Sequence, residues 1–162
     1  MKEIFERLPK TNLSDNGLIL IDTCFFIHTF MHHNEKELAK LCEKEKVAIT
    51  DFNMNEFLHV EHKVEAHVRE HARKWLKKNP CFMVLQTGIH PGDREGEKAF
   101  VSMIEPRLLE EIEDPSDAVL MAAAIKTHST VLTRDKHHLF TVSLENYLRE
   151  FGLKVYNNLK ME

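Results

Sequence analysis

Loop-breaking and cross-linking residues are scarce in this 162-residue sequence, which has five Gly, five Pro and three Cys. So little Gly and Pro excludes collagenous and low-complexity chains, and a 43% hydrophobic content excludes a disordered one. Cys24, Cys42 and Cys81 are odd in number and lack C-x-x-C spacing, which argues against a disulfide framework or a cysteine zinc knuckle. They read as small core residues in a reducing compartment. The amino-terminal MKEIFERLPK alternates charge without an apolar signal region, and the apolar run over residues 119–125 falls far short of the roughly 20 needed to cross a bilayer. A cytoplasmic protein with no membrane partner is the expectation. Positive charge is not in excess either: 22 Lys and Arg face 26 Asp and Glu, a formal net charge of -4. An anionic partner must therefore be held by a local basic patch or by bound metal, not by the field of the whole molecule.

No internal repeat and no Ser/Gly/Pro-rich linker divides the sequence, so residues 1–162 read as one domain with its core over about residues 18–156. Short apolar runs at 18–21, 47–50, 81–86, 130–133 and 153–156 predict buried strands. Helical periodicity predicts helices over 24–33, 35–45, 53–78, 95–112, 115–128 and 143–151. Strand alternating with helix implies an α/β fold: a central, mostly parallel sheet with helices on both faces, three layers in all. Ligands of such sheets bind beyond the carboxyl ends of the strands. In the helix beginning at Asn53, the residues Phe57, Val60, Val64, Val68, Ala72 and Trp75 form one apolar stripe, and Glu56 falls on its shoulder near the first turn. The segment 86–96, with Gly88, Pro91, Gly92 and Gly96, is the clear long loop and is expected to close over a site.

Four carboxylates fall at the same predicted edge of the sheet. Asp22 ends LILID, Glu56 follows VAIT, Asp117 opens the helix PSDAVLMAAAI, and Asp135 follows VLT. Carboxylates brought this close repel one another unless a hard divalent cation neutralises them, which predicts a Mg²⁺ or Mn²⁺ site. Such a site activates water for attack on a phosphodiester, the chemistry of a nuclease. Each acid also has a plainer reading: Asp22 as a helix N-cap, Asp135 as an Asx-turn residue, Asp117 as a capping-box partner. Asp114, ahead of Pro115 in D-P-S-D, reads as an N-cap and is taken as structural.

The segments LILIDTCFFI, ITDFNMNEFL, PSDAVLMAAAI and VLTRDKHHLF resemble the four successive acidic motifs of the PIN-domain ribonucleases, over about residues 18–156. The resemblance implies a PIN-like α/β/α fold. It also implies that Asp22, Glu56, Asp117 and Asp135 are the catalytic, metal-binding residues, with Thr133 orienting the carboxylates. The implied activity is divalent-metal-dependent hydrolysis of RNA leaving a 5′-phosphate, and the implied partners are the RNA substrate, an antitoxin protein where the chain is the toxin of a toxin–antitoxin pair, and a second copy in a homodimer. Cys24 departs from the pattern where a small polar residue is common, and the second motif is the weakest match.

Eleven histidines are many for this length. His67 and His71, four apart, match the spacing of a zinc-binding pair, but with no third ligand in sight and no H-E-x-x-H they read as packing or subunit-contact residues. His59, Lys63, His67, Lys74 and Lys77 share one flank of the predicted helix 53–78, on the side of Glu56, and are the expected lane for an RNA backbone. Arg134 and Lys136, flanking Asp135, are alternative phosphate contacts. No G-x-S-x-G or catalytic-cysteine signature suggests a protein nucleophile. An aspartyl-phosphate phosphatase would need a second acid where Cys24 stands. The alternative from another class is a catalytically silent PIN-like subunit that binds RNA or assembles with partners.

Overall fold

The computed structural model describes residues 1–134 and 142–162. Its elements are α1 (Lys2–Arg7), β1 (Lys10–Asn12), β2 (Ile19–Ile21), α2 (Thr23–Met31), α3 (Glu35–Lys44), β3 (Val47–Thr50), α4 (Asp51–Val60), a 3₁₀ turn (Glu61–Lys63), α5 (Ala66–Lys78), β4 (Met83–Gln86), α6 (Arg94–Ile104), α7 (Leu108–Glu111), α8 (Pro115–Thr127), β5 (Thr130–Leu132), α9 (Val142–Glu150) and β6 (Val155–Tyr156). The strands form one six-stranded sheet in the order β1-β4-β3-β2-β5-β6, and every neighbouring pair is parallel. The fold is thus α/β with helices on both faces of a parallel sheet.

Alternation along the central strands sorts side chains between two cores. Ile19, Ile21, Val47, Ile49, Val84 and Leu132 face a core built with α1, α2, α3 and α5, whereas Leu20, Ala48, Leu85 and Val131 face α6, α7, α8 and α9. The first core is aromatic: Phe26 packs edge-on against Phe30 and Phe57, with ring centroids 5.0 and 5.3 Å away, and stacks on Phe82. The second is lined by Ala118, Ala122, Ala123 and Ala124 of α8, all fully buried, whose small side chains bring that helix close to the sheet.

Several expected boundaries shift. The helix expected over 53–78 is two helices, separated by the 3₁₀ turn and an extended Val64. A straight helix of that length would run about 39 Å, roughly three times the length of the four-residue strands beneath it. The break lets α4 straddle the strand ends, with Phe52 in one core and Phe57 in the other, while α5 buries Val68, Ala72, Trp75 and Leu76 in the aromatic core. The helix expected over 95–112 also divides, because Pro106 offers no N–H and holds Glu105 in an extended conformation. Of the cysteines read as core residues, only Cys42 is buried; Cys24 and Cys81 are exposed. Among the described residues no helix is long and apolar enough to cross a membrane.

Candidate active site

Strand β2 lies between β3 and β5, so the carboxyl ends of these three strands meet at the middle of one sheet edge. Asp22 follows β2 directly and caps α2: its backbone N–H donates to the Leu132 carbonyl of β5 at 3.2 Å, and its Oδ1 accepts the Phe25 N–H at 2.7 Å. Thr133, the residue after β5 and fully buried, donates its hydroxyl to Asp22 Oδ2. The Asp22 carboxylate is thereby oriented through Oδ1 from the first turn of α2 and through Oδ2 from the end of β5. The plain N-cap reading of Asp22 is correct as geometry, and the same side chain also lines the cleft described next.

Glu56 lies on the second turn of α4, because that helix begins at Asp51 rather than Asn53. Its Oε1 accepts the Asn53 Nδ2 at 2.7 Å and the Thr23 hydroxyl at 3.2 Å. Asn53 is itself fixed by Thr50, which accepts the Asn53 N–H at 3.0 Å as the cap of α4 and donates to Asn53 Oδ1 at 2.8 Å. Thr23, Thr50 and Asn53 went unread in the sequence, although T-x-x-N at the opening of a helix is a capping pattern. Asp117 occupies the first turn of α8. Asp114 caps that helix by accepting the Ser116 N–H at 3.0 Å, as the D-P-S-D reading expects, and also pairs with Arg94. Behind this corner the fully buried Glu97 accepts the Ser116 hydroxyl at 2.9 Å and the Gly92 N–H at 3.1 Å, which fixes the start of α8 where Asp117 emerges.

Asp22, Glu56 and Asp117 line a single open cleft of about 300 Å³, together with Thr23, Cys24, Asn53 and Ser116. Burial is the main reason the Glu56 carboxyl lies above the ordinary glutamate range; Asp22 and Asp117 push it further up, and the hydrogen bonds from Asn53 and Thr23 pull it down. Glu56 therefore senses both Asp22 and Asp117 across the cleft. They are not packed into one tight shell: among the described residues the only trio of His, Cys, Asp or Glu whose ligand atoms all lie within 4.8 Å of one another is His33, Glu35 and His71, elsewhere on the molecule. Asp135 and Lys136 lie outside the described residues.

No family model matches the sequence, and no curated protein matches it. The chemistry of the cleft is accordingly argued from its own residues. Mg²⁺ holds on to several waters and is usually bound through only one or two carboxylates. A roomy cleft with three spaced carboxylates, and with Glu56 raised by its two acidic neighbours, suits such a hydrated hard cation.

The expected basic lane follows a broken helix, although Lys63 and His67 still border one groove. The helical register that aligned its members is interrupted between Lys63 and Ala66. Lys63 borders a groove with Val64 and Val68, Lys74 borders another with Glu35 and His71, Lys77 is exposed on α5, and none of the three lines the carboxylate cleft. Arg134, next to Thr133, instead borders a groove of about 280 Å³ with His28, His32, Asn157 and Lys160. Nor does the glycine-rich loop close over the carboxylates. Asp51 pins it by accepting the Thr87 and Gly88 N–H groups, each at 2.9 Å, and Glu97 holds it through Gly92.

Proposed function

We propose that this protein is an endoribonuclease of the PIN type, hydrolysing RNA with Mg²⁺ or Mn²⁺ held by Asp22, Glu56, Asp117 and Asp135. The observation that carries the reading is the convergence of Asp22, Glu56 and Asp117, far apart in sequence, on one cleft at the carboxyl edge of the central strands. The order of the acidic motifs along the chain supports the same family, and with it the antitoxin and homodimer partners as part of the proposal.

Bound in the cleft, a divalent cation would offset the charge that builds on the phosphate and lower the pKa of the attacking water. The chain's own residues prepare that site. Thr133 and the Phe25 N–H hold Asp22 in one orientation before substrate arrives, and Asn53 and Thr23 do the same for Glu56 through Oε1. Arg134, with His28, His32 and Lys160 along the adjoining groove, supplies contacts for the RNA backbone.

The test is incubation of a labelled single-stranded RNA with the purified chain in Mg²⁺, Mn²⁺ or EDTA. Cleavage to 5′-phosphate ends with either cation is expected, with none in EDTA and a loss of at least about 100-fold in Asp117→Asn. Cleavage that survives EDTA or Asp117→Asn contradicts the reading. RNA binding without cleavage under any cation favours the catalytically silent subunit instead.

A further inference from the structure

We infer that His33, Glu35 and His71 form a second metal site, for Zn²⁺ or a similar borderline divalent ion, that fastens the α2–α3 turn to α5. Their ligand atoms all lie within 4.8 Å of one another, and two imidazoles with one carboxylate are a donor set suited to zinc rather than to magnesium. Each ligand sits on a fixed part of the scaffold. His33 occupies the left-handed region, with φ of 55°, in the tight turn between α2 and α3. Glu35 opens α3, and its carbonyl accepts the Trp75 indole N–H from α5 at 2.8 Å, one turn beyond His71. The His33 and His71 rings meet edge to face with centroids 5.7 Å apart.

A second observation points to a ligand. Glu35 Oε2 and His71 Nδ1 are buried without a hydrogen-bond partner among the described residues, whereas buried polar atoms are ordinarily paired. A cation coordinated by this trio would give the carboxylate and an imidazole the partner that the described residues do not supply. Exposed Lys36, Lys74 and Lys78 on the rim weaken the attraction without taking a ligand position. Three protein ligands leave room for a water on the ion, so the site is expected to load and unload reversibly. His67, the partner that sequence spacing offers to His71, is engaged with Glu65 at 3.3 Å and takes no part.

Titration of the metal-free chain with Zn²⁺ against a chromophoric chelator, with Co²⁺ absorption as a report on coordination geometry, tests the inference. One equivalent is expected to bind, to raise the melting temperature, and to give a tetrahedral Co²⁺ spectrum. Loss of an outer partner of a metal ligand costs about 10–100-fold in affinity, so His71→Ala and His33→Asn should each lose at least about 100-fold. Asn tolerates the left-handed backbone of position 33, which keeps that variant folded. His67→Ala and Asp22→Asn should bind as the parent does. The inference is overturned by a parent chain that binds no Zn²⁺, by undiminished binding in His33→Asn and His71→Ala, or by loss in Asp22→Asn, which would put the ion in the carboxylate cleft.

Discussion

Glu56 is enclosed enough that ionising it is costly, and its neighbours Asp22 and Asp117 add to the cost. A carboxyl raised in the folded state stabilises that state through its protonated form. The contribution is complete below the ordinary glutamate range and is lost as the pH climbs through the raised native value. Above that range the cost of ionising this side chain therefore destabilises the metal-free protein. Glu56→Gln keeps an oxygen to accept from Asn53 and Thr23 and removes the charge. Melting curves should show it more stable than the parent at pH 7.5 by roughly 0.5–2 kcal/mol, with the difference vanishing below about pH 4, and it should bind Mg²⁺ more weakly. A parent and variant of equal stability at both pH values would mean that the cleft imposes no such cost. Thr133→Val removes the hydroxyl that orients Asp22 from the neighbouring strand and keeps its shape. Chemical denaturation should show a loss of about 1.5–3 kcal/mol, as for a hydrogen bond to a charged group, accompanied by reduced cleavage.

At the scale of elements, α8 divides its duties along its length. Its cap, Asp114, is engaged with the Ser116 N–H and Arg94, and Asp117 one turn on faces the cleft. Asp114→Ala should lose about 1 kcal/mol of stability on denaturation and retain cleavage, whereas Asp117→Asn should lose cleavage at little cost in stability. Further along, Ala123 is fully buried in the alanine-lined core, and Ala123→Leu should destabilise by about 1–3 kcal/mol through overpacking. The strand 47–50 was legible to the residue, because four consecutive buried side chains give an unbroken apolar run closed by a capping Thr. Strand β1 was not: Lys10–Asn12 buries only Thr11 and is an edge strand defined by its pairing with β4. The division of α4 from α5 was hidden too, since the apolar stripe runs through Val60 and Val64 as if the helix continued, and only the extent of the sheet decides otherwise. Pro106 was a readable stop that periodicity overrode. Asp22 was legible because it follows β2 and caps α2, and Glu56 and Asp117 because each falls early in a helix whose start the sequence marks. The trio His33, Glu35 and His71 was not, because it depends on how α5 lies against the α2–α3 turn.

Over the whole molecule, both faces of the sheet deliver carboxylates to one edge. The helices α2 and α4, one packed in the aromatic core and the other straddling the strand ends, supply Asp22 and Glu56, and α8 on the alanine-lined face supplies Asp117. The cleft exists only because β2 is central, with β3 and β5 on either side delivering their ends to the same place. Such convergence at the crevice beyond the strands is where open parallel sheets bind ligands, and the net charge of -4 leaves attraction of a polyanion to local features such as Arg134 and to bound metal. Crystals of the protein soaked in Mn²⁺ and measured for anomalous scattering would test the central claim most directly. The account predicts a manganese peak between Asp22, Glu56 and Asp117 that disappears in Asp22→Asn; a well-ordered cleft with no peak, at a Mn²⁺ concentration that supports cleavage, would contradict it.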